Sequence, residues 1–213
     1  MERKIVHLAV GKPKELTLEN DKQMMTGIEK ESVDMAYLTM TGFENDAPHN
    51  LKYHGGIDRT VCIYPVEHYQ KWEKMFGEKL QMSAFGENLM VTNMLEEEIQ
   101  IGDKFQIGEV VIQVTEARNP CSTIEKFNAI PNLYKAIRET GFTGYLCRTI
   151  TPGQIKQQDK IKQIHQENHG VTVAFCHDKV LHKHGTKKDF LQILSVEALS
   201  NRYREQVDKL LKK

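Results

Sequence analysis

The chain has 213 residues, and its 29 lysines and arginines balance 29 aspartates and glutamates. Zero net charge argues against nucleic acid or an anionic membrane as the partner, and 39% apolar residues support a packed core rather than disorder. The four cysteines (Cys62, Cys121, Cys147, Cys176) are far apart with no C-x-x-C pair, which excludes a zinc ribbon and a secreted disulfide framework.

At the N-terminus the apolar run 5–10 is followed at once by Gly11-Lys12-Pro13, too short for a signal peptide. No stretch approaches the roughly 18–20 apolar residues of a membrane span. The expectation is a cytoplasmic protein with reduced thiols.

From residue 5 to about 164 the texture is mainly β. Strands are predicted at 5–10, 35–41, 60–64, 87–91, 105–107, 110–115 and 144–150, and Gly108 reads as the reversal of a hairpin. Short strands separated by close turns point to a barrel or sandwich. Two helices interrupt them. Pro65 is the expected first residue of one, with Val66, Tyr69, Trp72 and Met75 three apart and Gly77 as its stop. Pro131 opens the other, with Leu133, Ala136 and Ile137 on one face and Gly141 behind them. Both apolar stripes read as core packing.

After residue 163 the pattern turns helical. Helices are expected at 172–183 and 187–194, with Ser195 capping a third that carries Val196, Leu199, Tyr203, Val207 and Leu210. Residues 171–213 hold nine basic against five acidic side chains, whereas the preceding 170 hold 20 against 24. The expected division is a β domain at 1–163 and a small helical C-terminal domain at 164–213. The basic face of the latter reads as solvated surface or as contact with an acidic partner.

No dinucleotide fingerprint, Walker A loop or nucleophile elbow is present. Five of the nine histidines fall between His165 and His184 without a recognised ligand spacing, so surface histidines are the first reading and a metal site the second. In Arg118-Asn119-Pro120-Cys121, a proline fixes the backbone before a cysteine, and the next regular element expected is the helix at Pro131. Arg118 would favour the thiolate, the form that attacks electrophiles or binds a soft metal. A packed loop cysteine fits the same spacing.

Two further loops share this character. Residues 52–59 (Lys-Tyr-His-Gly-Gly-Ile-Asp-Arg) place Gly55 and Gly56 where backbone N–H groups can approach an anion, with Arg59 able to grip a phosphate or carboxylate. Residues 85–88 (Phe-Gly-Glu-Asn) lead polar groups into a strand. Each is also an ordinary tight turn. Jointly they would suit a phosphorylated cofactor with a soft metal.

These stretches, taken in order with Val61-Cys-Ile-Tyr-Pro65, Ile101-Gly-Asp103 and residues 141–148, resemble the MOSC domain family (molybdenum cofactor sulfurase C-terminal domain). They are most similar to its stand-alone bacterial YiiM-type members, which carry a three-helix tail. The resemblance implies a β-barrel domain with peripheral helices and a small α-helical C-terminal appendage. It implies the molybdenum–pyranopterin cofactor, with Cys121 as the protein ligand of the metal and the catalytic thiolate. His54, Gly55, Gly56, Arg59, Glu87, Asn88, Arg118 and Arg148 would line the cofactor's pocket. For Glu87 a turn-stabilising role fits as well, and for Arg148 a structural ion pair does. Tyr145 stands where the family often has tryptophan, and Arg59 where it often has lysine. The implied activity is reduction of N-hydroxylated compounds, such as hydroxylaminopurine bases, to amines. The alternatives are a sulfur-transfer module with a persulfide on Cys121, and a non-enzymatic cofactor carrier. A reductase would need a separate electron-donor protein, for which the basic tail is a candidate dock.

Overall fold

The structure, a computed structural model, describes residues 2–18 and 22–212. Thirteen strands form among the described residues, the longer ones on alternating or continuous apolar runs. The first seven are β1 (Ile5–Val10), β2 (Lys14–Thr17), β3 (Gln23–Thr26), β4 (Glu31–Ser32), β5 (Met35–Thr39), β6 (Gly42–Phe43) and β7 (Val61–Pro65). The rest are β8 (Leu89–Val91), β9 (Lys104–Ile107), β10 (Val110–Ala117), β11 (Tyr145–Thr151), β12 (Gly153–Lys156) and β13 (Ile161–His165). Eight of them form one sheet in the order β13-β9-β10-β11-β7-β8-β1-β4. All its pairings are antiparallel except β7 with β8. A bridge from Lys4 to Lys160 brings the two ends of the sheet together, so it curls into a barrel-like shell. This is the mainly β architecture with peripheral helices that the pattern predicts.

Among the described residues, seven α-helices pack around the shell: α1 (Leu51–His54), α2 (Glu67–Phe76), α3 (Thr123–Asn128), α4 (Leu133–Thr140), α5 (Val173–Cys176), α6 (Lys187–Leu194) and α7 (Asn201–Leu211). Several starts differ from expectation for local reasons. Pro65 ends β7 instead of opening α2, because Val66 N–H still bonds the Val91 carbonyl at 2.8 Å before the chain turns. Pro131 stands ahead of α4, whose first turn follows Asn132 in the left-handed region. Ser195 closes α6 with helical backbone angles; Ser200, extended at ψ 145, caps α7 and accepts from Tyr203 N–H. The helix expected over 172–183 is α5 running into a π-helical turn, His177–Leu181.

Strand parity separates two apolar interiors. Val61 and Ile63 of β7 point inside the shell, with Leu8, Phe105, Ile112 and Cys147. The tail contributes Val173, Cys176, Ile193, Leu199, Tyr203 and Val207 to that same cluster. Tyr64, on the other face of β7, joins Tyr69, Trp72, Phe85, Ile124, Leu133 and Ile137 beneath α2, α3 and α4. Polar tips inside this second interior are paired: Trp72 Nε1 donates to Tyr64 Oη at 2.7 Å, and Tyr64 Oη donates to the Phe142 carbonyl at 3.0 Å. The loops that matter for chemistry emerge between these two interiors.

Candidate functional site

Where β7, β8 and β10 present their ends, a cavity of about 650 Å³ opens among the loops. Cys121 lies on its wall, one residue before the N-cap of α3 and half-buried. The thiol is held well below its ordinary range, at about 6, first by a hydrogen bond from His54 and then by Thr123. Sγ and Thr123 Oγ1 are 3.2 Å apart. At neutral pH Cys121 is therefore a thiolate. The expected source was Arg118, but its guanidinium donates to the Phe85 carbonyl at 2.5 Å and leaves the thiol to His54. The short α3 beginning at Thr123, directly after the cysteine, was also unforeseen.

His54 ends α1, a single turn capped by Asn50, whose side chain accepts from Tyr53 N–H. Arg59 is held by Glu116 at 2.6 Å and by the Tyr53 carbonyl at 2.8 Å. Asn88 reaches into the wall, donating to the Asp46 carboxylate at 3.0 Å while its Oδ1 accepts from Cys62 N–H. His54, Arg59, Asn88, Arg118 and Cys121 thus converge on one cavity.

The other four candidates do not reach its wall. Gly55 and Gly56 form the turn behind His54: Gly56 adopts φ +119 and its carbonyl accepts from Arg59 N–H. A Cβ on Gly55 would stand 2.9 Å from the Leu51 carbonyl, so this glycine serves close packing of α1. Glu87 is fully buried and accepts from Tyr69 Oη at 2.5 Å and Phe85 N–H at 3.2 Å, bracing the turn; burial pushes its carboxyl up. Arg148 pairs with Asp58 at 2.9 Å and donates to the Ala198 carbonyl at 2.8 Å.

The cavity has members that sequence reasoning missed. Lys30 and Asp46 form a nearly buried ion pair on its wall, and Glu116, Thr123, Cys62 and Arg202 also line it. Lys30 and Asp46 sit in a stretch without regular periodicity, and Arg202 flanks the apolar stripe of α7, so neither carries a sequence signal. Cys62 is half-buried on the cavity side because β7 alternates Val61 and Ile63 away from it. Four basic side chains (Lys30, Arg59, Arg118, Arg202) face two carboxylates, so the cavity is receptive to anions. Two guanidinium nitrogens, Arg118 Nη1 and Arg59 Nε, are buried there without a partner.

The histidine-rich segment behaves differently. Among the described residues, Asp178, His182 and His184 bring ligand atoms within 4.8 Å of one another. Each already has a protein partner: His184 Nδ1 and Lys179 bond Asp178, both at 2.7 Å, and His182 Nε2 donates to the Arg138 carbonyl at 2.7 Å. His169 Nε2 donates to the Ile101 carbonyl at 2.9 Å, so this histidine closes a loop after β13.

Residues 50–162 match the family model described as the MOSC domain, a span that contains every site residue expected from the sequence but not Lys30, Asp46 or Arg202. The chain is 35% identical to the uncharacterized protein YflK of Bacillus subtilis strain 168, over 94% of this chain and 90% of that one. It is 33% identical to a protein named Reductase from Gibberella moniliformis, over 59% of this chain but only 23% of the fungal one. Among solved structures, YiiM from Geobacillus stearothermophilus superimposes with a TM-score of 0.83 at 28% identity, covering 98% of this chain and 99% of that one.

Proposed function

From the premise that the chain belongs to the MOSC domain family, we propose that it is a molybdenum-cofactor-dependent reductase. It converts N-hydroxylated compounds to amines, with Cys121 as the protein ligand of molybdenum. The observation that carries this reading is a thiolate at neutral pH set in an anion-receptive cavity. The relative named Reductase supports the reaction class.

The residues present fit such a group. A soft, charge-donating thiolate suits a high-valent metal centre. Arg118 Nη1 and Arg59 Nε are buried donors without partners, which a phosphorylated pterin would satisfy. When bound, the cofactor supplies the two-electron couple for the net change R–NH–OH + 2e⁻ + 2H⁺ → R–NH₂ + H₂O. The chain's own groups bind and orient. His54 and Thr123 keep the Cys121 sulfur deprotonated, and Arg59 and Arg118 hold anionic edges. Glu116 fixes Arg59, and Glu87 with Tyr69 fixes the 85–88 turn.

The electrons come from a separate donor protein. A shallow groove beside the cavity, lined by Lys52, Arg138, Lys183 and Lys209, would receive an acidic donor. The tail shares the barrel's apolar cluster, so charge reversal at Lys183 and Lys209 is a cleaner test of docking than truncation at 164. We place the protein in the cytoplasm, where its four free thiols stay reduced. No described helix is long and apolar enough to cross a membrane.

Protein purified from cells that make the cofactor should contain near-stoichiometric molybdenum. Supplied with artificial reductant, it should convert hydroxylaminopurine to the amine. Molybdenum without amine product would make it a carrier. A cyanide-releasable sulfur on Cys121 without molybdenum would replace the reading with sulfur transfer.

A further inference from the structure

The helix α7 begins at the cavity and touches two of the segments that build it, 52–59 and 116–119. Its N-cap Ser200 donates from Oγ to Glu116, the carboxylate that holds Arg59. Asn201 N–H donates to Asp58 Oδ2 at 3.2 Å, next to Arg59 in the chain. Arg202 Nη1 donates to the Lys52 carbonyl, and its guanidinium lies 5.3 Å from the centre of the Tyr53 ring. Lys52 and Tyr53 belong to the single turn that ends at His54. One helical turn further on, Gln206 Oε1 accepts from Asn119 Nδ2 at 2.8 Å, two residues before Cys121.

This arrangement follows from helical spacing. Tyr203 and Val207 are buried in the barrel's apolar cluster and anchor α7. Arg202 and Gln206, also four apart, form the adjoining stripe and meet the loops. Arg202 itself lines the cavity, and a guanidinium has five N–H donors, of which one is spent on the Lys52 carbonyl. It also lines the basic groove that continues outward from the cavity, together with Tyr53 and Asn119.

We propose that α7 is a wall of the cavity, with Arg202 a binding residue for a phosphate-bearing ligand and Gln206 a positioning residue that holds the Cys121 loop through Asn119. The assignment of the ligand rests on the cofactor reading above; the wall itself does not.

The test uses full-length Arg202→Ala, Arg202→Lys and Gln206→Ala proteins, altered at an exposed and a half-buried side chain respectively, with thermal unfolding as the check on folding. Inorganic phosphate, titrated into cofactor-free protein, should bind at least fivefold more weakly to Arg202→Ala. The lysine variant should recover part of the loss, since it keeps the charge and loses the fork. In hydrogen exchange, Arg202→Ala should speed the amides of residues 50–55. Gln206→Ala should speed those of 118–121 at least threefold and leave phosphate affinity unchanged. Wild-type phosphate affinity and unaltered exchange in Arg202→Ala would overturn the proposal. If wild type carries no molybdenum yet its phosphate binding depends on Arg202, the cofactor reading fails and the wall stands. If Arg202→Ala loads molybdenum as wild type does, with phosphate binding unchanged, the wall fails and the cofactor reading stands.

Discussion

At the cavity, Cys121 meets His54 across two loops, while in the tail Cys176 and His177 are neighbours in the chain and both are buried. The first thiol is drawn down to about 6 by a donated hydrogen bond, and the second is pushed up to about 12 by burial. Burial also lowers His177 to about 4, so this imidazole stays neutral. A cysteine and a histidine make a reactive pair only where solvent and donors can support the charged forms. Proximity in sequence supplies neither.

The largest break of this contrast is Cys121→Ala. Molybdenum content should fall to background, and turnover by at least ~100-fold, given the role of an activated nucleophile or ligand thiolate. Metal analysis of the same preparation used for the assay checks both. Cys176→Ala should retain its molybdenum.

Next comes the reactivity of the Cys121 thiolate. Alkylation of Cys121 by iodoacetamide should rise with pH around a midpoint of about 6 and fall off below it, as the thiolate takes up a proton. Removing the donor with His54→Ala should move the midpoint towards the ordinary thiol value. At pH 6.5 that should slow the reaction roughly 10-fold, because the thiolate fraction falls faster than intrinsic nucleophilicity rises. An unchanged midpoint would return the credit to Arg118. Cys176 should resist the reagent until the protein unfolds.

The contrast also shows what was legible in the sequence. The shell was, because β10 and β11 carry long β-rich runs and Gly108, at φ +56, announces its hairpin. Cys121 was singled out by its loop and its company of motifs, and the 52–59 and 85–88 stretches do converge on the same cavity through His54, Arg59 and Asn88. The source of the thiolate was not legible. Arg118 is three residues from Cys121 in sequence yet is turned towards the Phe85 carbonyl, while His54 arrives from a loop far away in the chain. Lys30, Asp46 and Arg202 escaped for the same reason: their place depends on which loops the closed sheet brings together. Cys62 was readable in principle, since period-two alternation sets it opposite Val61 and Ile63.

The core pair yields a smaller, thermodynamic effect. His177 in the unfolded chain titrates near 6.5, and in the folded protein at about 4. Between these values the unfolded chain binds a proton that the folded one does not, so stability is full above 6.5 and declines as pH falls. Acidification to pH 4 should remove roughly 3 kcal/mol through this one group. His177→Gln keeps a neutral polar partner for Thr143 Oγ1, now 2.7 Å from the ring, and should flatten the acid limb in urea unfolding at pH 7 and pH 5. A variant with the same slope as wild type would assign the acid sensitivity elsewhere.

The finest division falls between two thiols that do no chemistry in this scheme. Cys176 is fully buried, so Cys176→Ser places a hydroxyl in an apolar interior and should cost about 1–3 kcal/mol. Cys62 borders the cavity, where water can reach a hydroxyl, and Cys62→Ser should cost less than ~1 kcal/mol. Burial pushes its thiol up, so it should also react more slowly than Cys121 at pH 7.5. Urea midpoints of the two serine variants, measured side by side, check the ordering. Equal losses would mean that Cys62 is sealed from the cavity and that β7 turns no reactive face towards it.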